Sequence, residues 1–129
     1  MERQKLYERF ITLDWQQQLG NLASTLATIS QQSINPKQDS LTNHLLREAA
    51  LMIEWSASNV PQEFLLELAG MQRELLAWRK DFPIESARNI LSLYTRNRAD
   101  CLLQMSGWLE DDEKVELNSD LASVFSYSP

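Results

Sequence analysis

Four tryptophans mark out the chain, because Trp15, Trp55, Trp78 and Trp108 each fall in a different stretch of helical periodicity. Within each stretch the apolar residues recur three and four positions apart, which is the spacing that gives an α-helix one apolar face. Alternating apolar and polar runs bounded by turn residues, the pattern of strands, do not occur. We therefore predict an all-α fold in which four amphipathic helices share one core.

The first predicted helix is the longest and runs from about residue 2 to residue 32. Its weakest position is Gly20, since glycine in a helix interior costs up to about 1 kcal/mol relative to alanine. A bend or break at Gly20 is therefore one alternative to a continuous helix. A second alternative is a start at Asp14, because aspartate is a favoured residue at a helix amino terminus.

Prolines separate the remaining predicted helices, since proline cannot continue a helix that precedes it. Pro36 lies before the second helix, Pro61 begins the third, and Pro83 ends it. These helices are expected over residues 41–58, 61–82 and 84–110. Short connections place consecutive helices side by side in opposite directions. The predicted architecture is therefore an antiparallel up-down-up-down four-helix bundle with a long first helix.

The 129 residues fit one domain followed by a tail. The helical bundle domain is predicted over residues 1–110, and an acidic C-terminal tail over 111–129, where Leu117–Phe125 could make one short helix. From residue 101 onward the chain carries six acidic residues against a single lysine. A run of this kind indicates a solvated terminus or, as the alternative, a docking tail for a basic partner.

Composition argues against several classes of partner. The formal net charge of −6 disfavours a nucleic-acid partner, because affinity for phosphates depends largely on lysine and arginine. No run reaches the roughly 18 uncharged apolar residues that a membrane-spanning helix needs, so no membrane partner is predicted. Cys101 is the only cysteine, which rules out an intramolecular disulfide and favours a reducing, cytoplasmic location.

The sequence offers little for catalysis. His44 and Cys101 make up the only histidine–cysteine pair that could supply a base and a nucleophile. In the predicted bundle they lie about one turn and about five turns into their helices, which separates them by roughly 20 Å at ~1.5 Å per residue. One histidine and one cysteine are too few for a structural zinc site, and three glycines leave little room for phosphate loops. We predict no enzyme activity, no cofactor and no metal.

Two charges interrupt the predicted apolar seams and define the candidate site. Glu48 stands in the predicted seam of the second helix, which is Leu41, Leu45, Glu48, Met52 and Trp55. Arg98 stands in that of the fourth, which is Leu91, Tyr94, Arg98 and Cys101. In one interpretation the helices drift from a strict heptad, so both charges lie at the seam edge in solvent. In a second, a buried pair fixes helix register, with Glu8 as an alternative partner for Arg98. In a third, Arg98 and Tyr94 receive an anionic ligand.

The chain resembles a group of small all-helical proteins of unknown function from cyanobacteria. The resemblance is carried by GNLASTL at 20–26, LREAA at 46–50, the pair Glu54-Trp55, and QRELLAW at 72–78. These segments combine helix-forming residues with an aromatic anchor. The resemblance implies a helical protein of a bacterial cytoplasm and assigns no activity.

Aromatic residues at the predicted helix ends suggest an exposed apolar surface. Tyr7, Phe10 and Phe82 lie near such ends, while Phe125 and Tyr127 lie in the tail. Large apolar side chains that find no core are typical of contact surfaces. We therefore predict a non-enzymatic protein–protein interaction module whose partner is another protein or a second copy. The alternative is a binder of, or enzyme for, a small anionic ligand in the bundle interior around Glu48 and Arg98.

Overall fold

A computed structural model describes residues 2–108, which form five α-helices. The helices are α1 (Glu2–Phe10), α2 (Trp15–Gln32), α3 (Asp39–Ser56), α4 (Leu65–Asp81) and α5 (Arg88–Ser106). Three-residue 3₁₀ turns at Pro36–Gln38, Gln62–Phe64 and Glu85–Ala87 lead into the last three. No strand occurs within residues 2–108, so the all-α prediction is confirmed for this part of the chain. The predicted acidic tail over 111–129 lies outside the described residues.

The prediction of one long first helix is wrong, because the helix is interrupted between Phe10 and Trp15. Asp14, which the sequence offered as an alternative start, is the N-cap of α2. Its side chain accepts a hydrogen bond from the Gln17 backbone N–H at 2.8 Å, and the Gln17 side chain accepts one from the Asp14 N–H at 3.3 Å. This reciprocal pair satisfies two N–H groups at the start of the helix. Gly20 lies within a continuous α2 and is not a break.

The apolar faces of α2 and α4 are buried in the core as their spacing predicts. The exposed fraction of each residue on these faces is 2% or less. The residues are Leu19, Leu22, Leu26 and Ile29 of α2, and Leu68, Met71 and Leu75 of α4. Phe64, Trp78 and Phe82 pack against the same core while remaining partly exposed. Residues four and three apart on one helix share a face, which is why these stripes are continuous.

The buried stripe of α5 differs from the predicted seam. Its buried residues are Arg88, Leu91, Thr95, Ala99, Leu102 and Ser106. After Leu91, each buried position therefore lies one residue later than predicted. Thr95 is fully buried, and its hydroxyl donates to the Leu91 carbonyl one turn earlier at 2.9 Å. A hydroxyl satisfied in this way can occupy a core position. Arg98 therefore flanks the buried stripe and does not interrupt it.

The stripe of α3 is displaced in the same direction. Its buried residues are Thr42, Leu46, Ala49, Ala50, Met52, Ile53 and Ser56, whereas Leu41 of the predicted seam is exposed. The Ser56 hydroxyl donates to the Ile53 carbonyl at 3.0 Å, which again lets a small hydroxyl residue occupy the core. Glu48 consequently lies at the edge of the buried face.

Hydrogen bonds between helices show which ends lie together. Ser30 near the end of α2 and Ser92 near the start of α5 each donate a hydroxyl to the other's carbonyl at 2.7 Å. Trp108, which follows α5, donates its indole N–H to the carbonyl of Gln16 in the first turn of α2 at 2.9 Å. These contacts place the carboxyl end of each helix beside the amino end of the other.

Similar contacts position α3, α4 and α1. The Arg79 guanidinium near the end of α4 donates to the Asn43 side chain near the start of α3 at 3.2 Å. The short helix α1 packs on the last turn of α3, where the rings of Tyr7 and Trp55 meet edge to face at 5.2 Å between centroids. The fully buried Gln18 side chain donates to the Phe10 carbonyl at 3.1 Å and so joins α1 to α2.

Candidate functional site

Arg88 is a buried arginine whose guanidinium is hydrogen-bonded to three other residues. Only 7% of the residue is exposed, at the first position of α5. Its guanidinium donates to both carboxylate oxygens of Asp39 at 2.7 and 2.9 Å, and to both of Glu85 at 3.0 and 2.7 Å. A further N–H donates to the Ser33 carbonyl at 2.9 Å, and the cation lies 5.7 Å from the centroid of the Phe82 ring.

The Arg88 cluster stabilises the fold and does not form a binding site. Hydrogen bonds from Arg88 hold the pKa values of Asp39 and Glu85 below their ordinary range, with burial opposing the shift. An arginine has five N–H groups, and here each of its three nitrogens already donates to protein oxygens. The guanidinium therefore has little capacity left for a ligand, and it ties the α2–α3 connection to the start of α5.

Sequence reasoning missed this cluster. Arg88 and Asp39 are 49 residues apart, so no local spacing relates them. A partial indication was present in the spacing of Glu85 and Arg88, because residues three apart on one helical turn can form an ion pair. That spacing is common on exposed helices, and it does not by itself predict burial.

The structure does not bring the predicted charges Glu48 and Arg98 into a pair. The Glu48 carboxylate lies beside His44 on the same helix, with 2.7 Å between Nε2 and Oε1, a contact that is an ion pair when His44 is protonated. Arg98 lies 3.8 Å from the Glu67 carboxylate of α4 and 5.9 Å from the centroid of the Tyr94 ring. The interpretation of a buried Glu48–Arg98 pair is therefore wrong, while Tyr94 and Arg98 do lie together.

Glu8, the alternative partner named for Arg98, does not contact it either. The Glu8 carboxylate accepts a hydrogen bond from Gln4 one turn earlier on α1, at 3.1 Å. Both charges of the predicted pair are thus satisfied by neighbours on the rim of the core. Their side chains are 26% exposed for Glu48 and 32% for Arg98.

Cys101 lies in a half-buried polar cluster between α4 and α5. Its thiol donates to the Glu67 carboxylate at 3.0 Å, beside Arg98. Burial, together with the Glu67 carboxylate, raises the pKa of Cys101 to about 11. Burial likewise raises the pKa of Tyr94, with the Glu74 carboxylate adding to the shift and Arg98 opposing it. Both groups are protonated at neutral pH, which is the opposite of what an activated nucleophile needs.

The described part of the chain contains neither a cluster of metal-ligating side chains nor a helix suited to a membrane. Within residues 2–108 no group of three or more histidine, cysteine, aspartate or glutamate side chains is arranged to hold a metal ion. His44 is engaged with Glu48, whereas Cys101 is engaged with Glu67. Among these residues no helix has the length and apolar character needed to cross a bilayer.

An exposed apolar surface lies where the end of α2 meets α5. Ile34 and Leu93 line one open groove of about 360 Å³, together with Ser30, Gln31, Asn89, Ser92 and Arg96. Ile90 lies one turn before Leu93 on α5. The exposed fractions of Ile34, Ile90 and Leu93 are 53%, 60% and 51%. We call these three residues the isoleucine–leucine patch.

Comparison with known proteins finds no matching family model, no matching curated protein and no matching solved structure.

Proposed function

We propose that this chain is a non-enzymatic helical protein–protein interaction module of a bacterial cytoplasm. In this proposal α2, α3, α4 and α5 form an antiparallel up-down-up-down bundle that presents the isoleucine–leucine patch to its partner. The end-to-end hydrogen bonds of α2 with α5 and of α3 with α4 support this arrangement.

The isoleucine–leucine patch is the observation that carries the proposal. Three large aliphatic side chains, each more than half exposed, lie at one junction of two helices. Removing apolar surface from water is favourable by about 25 cal/mol per Å², so a partner that covers the patch gains free energy. The polar residues of the same groove, including Arg96 and Asn89, provide the polar rim typical of interfaces.

The anionic-ligand alternative has less support. The carboxylate of Glu67 lies 3.8 Å from Arg98, and that of Glu74 acts on the neighbouring Tyr94. Two negative charges beside the only proposed cation oppose the entry of an anion. Neither Tyr94 nor Cys101 is poised to give up a proton at neutral pH.

The test compares Leu93→Glu with a matched control, Leu66→Glu. Both leucines are exposed, but Leu66 lies on α4 and is 82% exposed, away from the isoleucine–leucine patch. Sedimentation velocity over a range of concentrations measures self-association, and quantitative capture from native extract measures binding of another protein. We expect Leu93→Glu to abolish association and Leu66→Glu to retain it, with circular dichroism confirming that both variants fold. Equal behaviour of the wild type and Leu93→Glu in both assays would contradict the proposal.

A further inference from the structure

Helix α1 has an open groove on each side, and each groove has an arginine at its rim. One groove, of about 540 Å³, is lined by Arg3, Gln4, Tyr7 and Trp55. The other, of about 310 Å³, lies between α1 and α2 and is lined by Leu6, Arg9, Phe10, Leu13 and Asn21. The second groove thus combines apolar side chains with a cation at its edge. Such a surface suits a segment that carries both carboxylates and aliphatic side chains.

The cations of α1 stand out on a chain with a net charge of −6. Arg3, Lys5 and Arg9 fall within nine residues, and none of them forms an ion pair within residues 2–108. Glu8 on the same helix is hydrogen-bonded to Gln4. Arginines beside an apolar groove are complementary to an acidic segment, because guanidinium groups bind carboxylates through two parallel hydrogen bonds.

Trp108, the last residue that the structure describes, lies near the edge of this second groove. Its indole N–H is bonded to the Gln16 carbonyl, and a Cβ built on Gly20 would lie only 2.9 Å from the indole nitrogen. The ring is therefore in close contact with α2 at Gly20. The next residue, Asn21, lines the groove between α1 and α2. The Trp108 ring therefore contacts α2 one residue before a lining residue of the groove.

That sequence has the complementary chemistry. Residues 110–116 read EDDEKVE and hold five carboxylates, flanked by Leu109 and Leu117. Seven residues can span up to about 23 Å, at ~3.3 Å each, which exceeds the roughly 14 Å length of the nine-residue α1 at ~1.5 Å per residue.

We propose that the acidic run 110–116 of the same chain is the ligand of the groove between α1 and α2, with Arg9 as its main cationic contact. The short tether after Trp108 gives the run a high effective concentration at this groove, so it outcompetes a free acidic peptide. Arg9 and the neighbouring cations of α1 supply an attraction that salt weakens. The run thereby covers one side of α1 and holds that helix against α2. This inference concerns a different surface from the isoleucine–leucine patch and stands independently of it.

The test uses the 129-residue chain with a nitroxide attached at Asn118→Cys in a Cys101→Ala background. Paramagnetic broadening of backbone amide signals then reports which residues lie near the label. We expect the amides of residues 4–13 and Asn21 to be broadened at low ionic strength. Arg9→Glu should remove at least half of that broadening, and so should about 1 M salt, where the screening length is about 3 Å. Arg73→Glu, which alters an exposed arginine of α4, should leave the broadening unchanged.

Charge exchange and isotope mixing complete the test. A triple variant should also remove the broadening. It carries Asp111→Lys, Asp112→Lys and Glu113→Lys, and it changes no residue of the described helices. Combining it with Arg9→Glu should restore the broadening. If the wild type shows no broadening on α1, or if Arg9→Glu folds and leaves it unchanged, the proposal is wrong. Broadening transferred from a labelled chain to a separate isotope-labelled chain would assign the occupant to a second copy and overturn the same-chain assignment.

Discussion

Arg88 and Asp39 form a two-pronged ion pair across 49 residues of sequence, with 2.7 Å between Nη1 and Oδ1 and 2.9 Å between Nη2 and Oδ2. Glu85 completes the arrangement from the turn that precedes α5. Because one guanidinium serves both carboxylates and the Ser33 carbonyl, the loss of its charge affects two connections of the fold at once. The cluster therefore makes the acid stability of the chain testable.

We expect the wild type to lose stability in acid more steeply than Arg88→Met. The pKa values of Asp39 and Glu85 lie below their ordinary values of 3.8 and 4.5 because Arg88 bonds to both. A lowered carboxyl pKa contributes stability that is complete above the ordinary value and is lost as the pH falls through the lowered one. The urea midpoint, measured from neutral pH down through 4.5 and below 3.8, should show this loss.

The controls for the acid experiment separate the cluster from general charge effects. Asp39→Asn should reproduce part of the flatter profile, while Arg73→Met should keep the wild-type profile because Arg73 is exposed on α4. At neutral pH Arg88→Met should be less stable than Arg88→Lys, which keeps the charge but loses the forked geometry. An Arg88→Met profile parallel to that of the wild type would show that these carboxylates do not govern acid stability.

Gly20→Ala should stabilise the chain only when Trp108 is absent. Alanine is more favourable than glycine in a helix interior by up to about 1 kcal/mol. In the wild type, however, the new Cβ would lie 2.9 Å from the Trp108 indole nitrogen and force it from the Gln16 carbonyl. Urea unfolding of a double-mutant cycle with Trp108→Ala should show the full gain in the variant background and little or none in the wild type. The same gain in both backgrounds would mean that the indole does not occupy this position.

Cys101 should react slowly with thiol reagents in the folded protein. Its pKa of about 11, compared with an ordinary value of 9.0, reduces the thiolate fraction near pH 8 by about a hundredfold. The rate measured with an aromatic disulfide should therefore rise by about two orders of magnitude on unfolding in urea. Glu67→Gln should increase the folded-state rate modestly, because burial is the largest cause of the shift. Glu63→Gln serves as the control, and a folded-state rate equal to the unfolded one would refute the assignment.

Substitutions at Glu48 and Arg98 should have independent effects. Their partners are His44 and Glu67, which lie on different helices. A cycle of Glu48→Gln and Arg98→Met should therefore be additive within about 0.5 kcal/mol, as for residues that share no partner. Denaturant unfolding at neutral pH provides the measurement. Coupling well above that limit would bring back the pair that the structure separates.

The elements that could be predicted from the sequence are those whose determinants are local. Apolar residues of α4 recur three and four positions apart, and this spacing predicts the face on which Leu68, Met71 and Leu75 are buried. The break before α2 was accessible from the same kind of information, because aspartate followed three residues later by glutamine is a capping pattern. Apolar periodicity alone runs through Ile11 and Trp15, and it therefore predicts a continuous helix where Asp14 caps the start of a new one.

The candidate site was misplaced because small hydroxyl residues lie in the core. Thr95 and Ser106 of α5 bond to carbonyls of their own helix and are buried, although a polar residue is expected to face solvent. The predicted seam of α5 instead follows Tyr94 and Cys101, which lie one position before the buried residues. It therefore includes Arg98 and makes the Arg98 charge look buried. Arg88, whose partners come from distant segments, could be found only once the fold was known.

The cluster at Arg88 and the attachment of α1 give the two ends of the molecule unequal resistance to opening. At the Arg88 end, separating the α2–α3 connection from α5 would break the hydrogen bonds of Arg88 to Asp39 and to the Ser33 carbonyl. At the other end, α1 is held by the rings of Tyr7 and Trp55, by the buried Phe10, and by the Gln18 amide. Local unfolding starts where the fewest contacts must be broken. The chain should thus come apart from its amino terminus, with residues 11–14 as the hinge, leaving the Arg88 end as the last part to lose its structure.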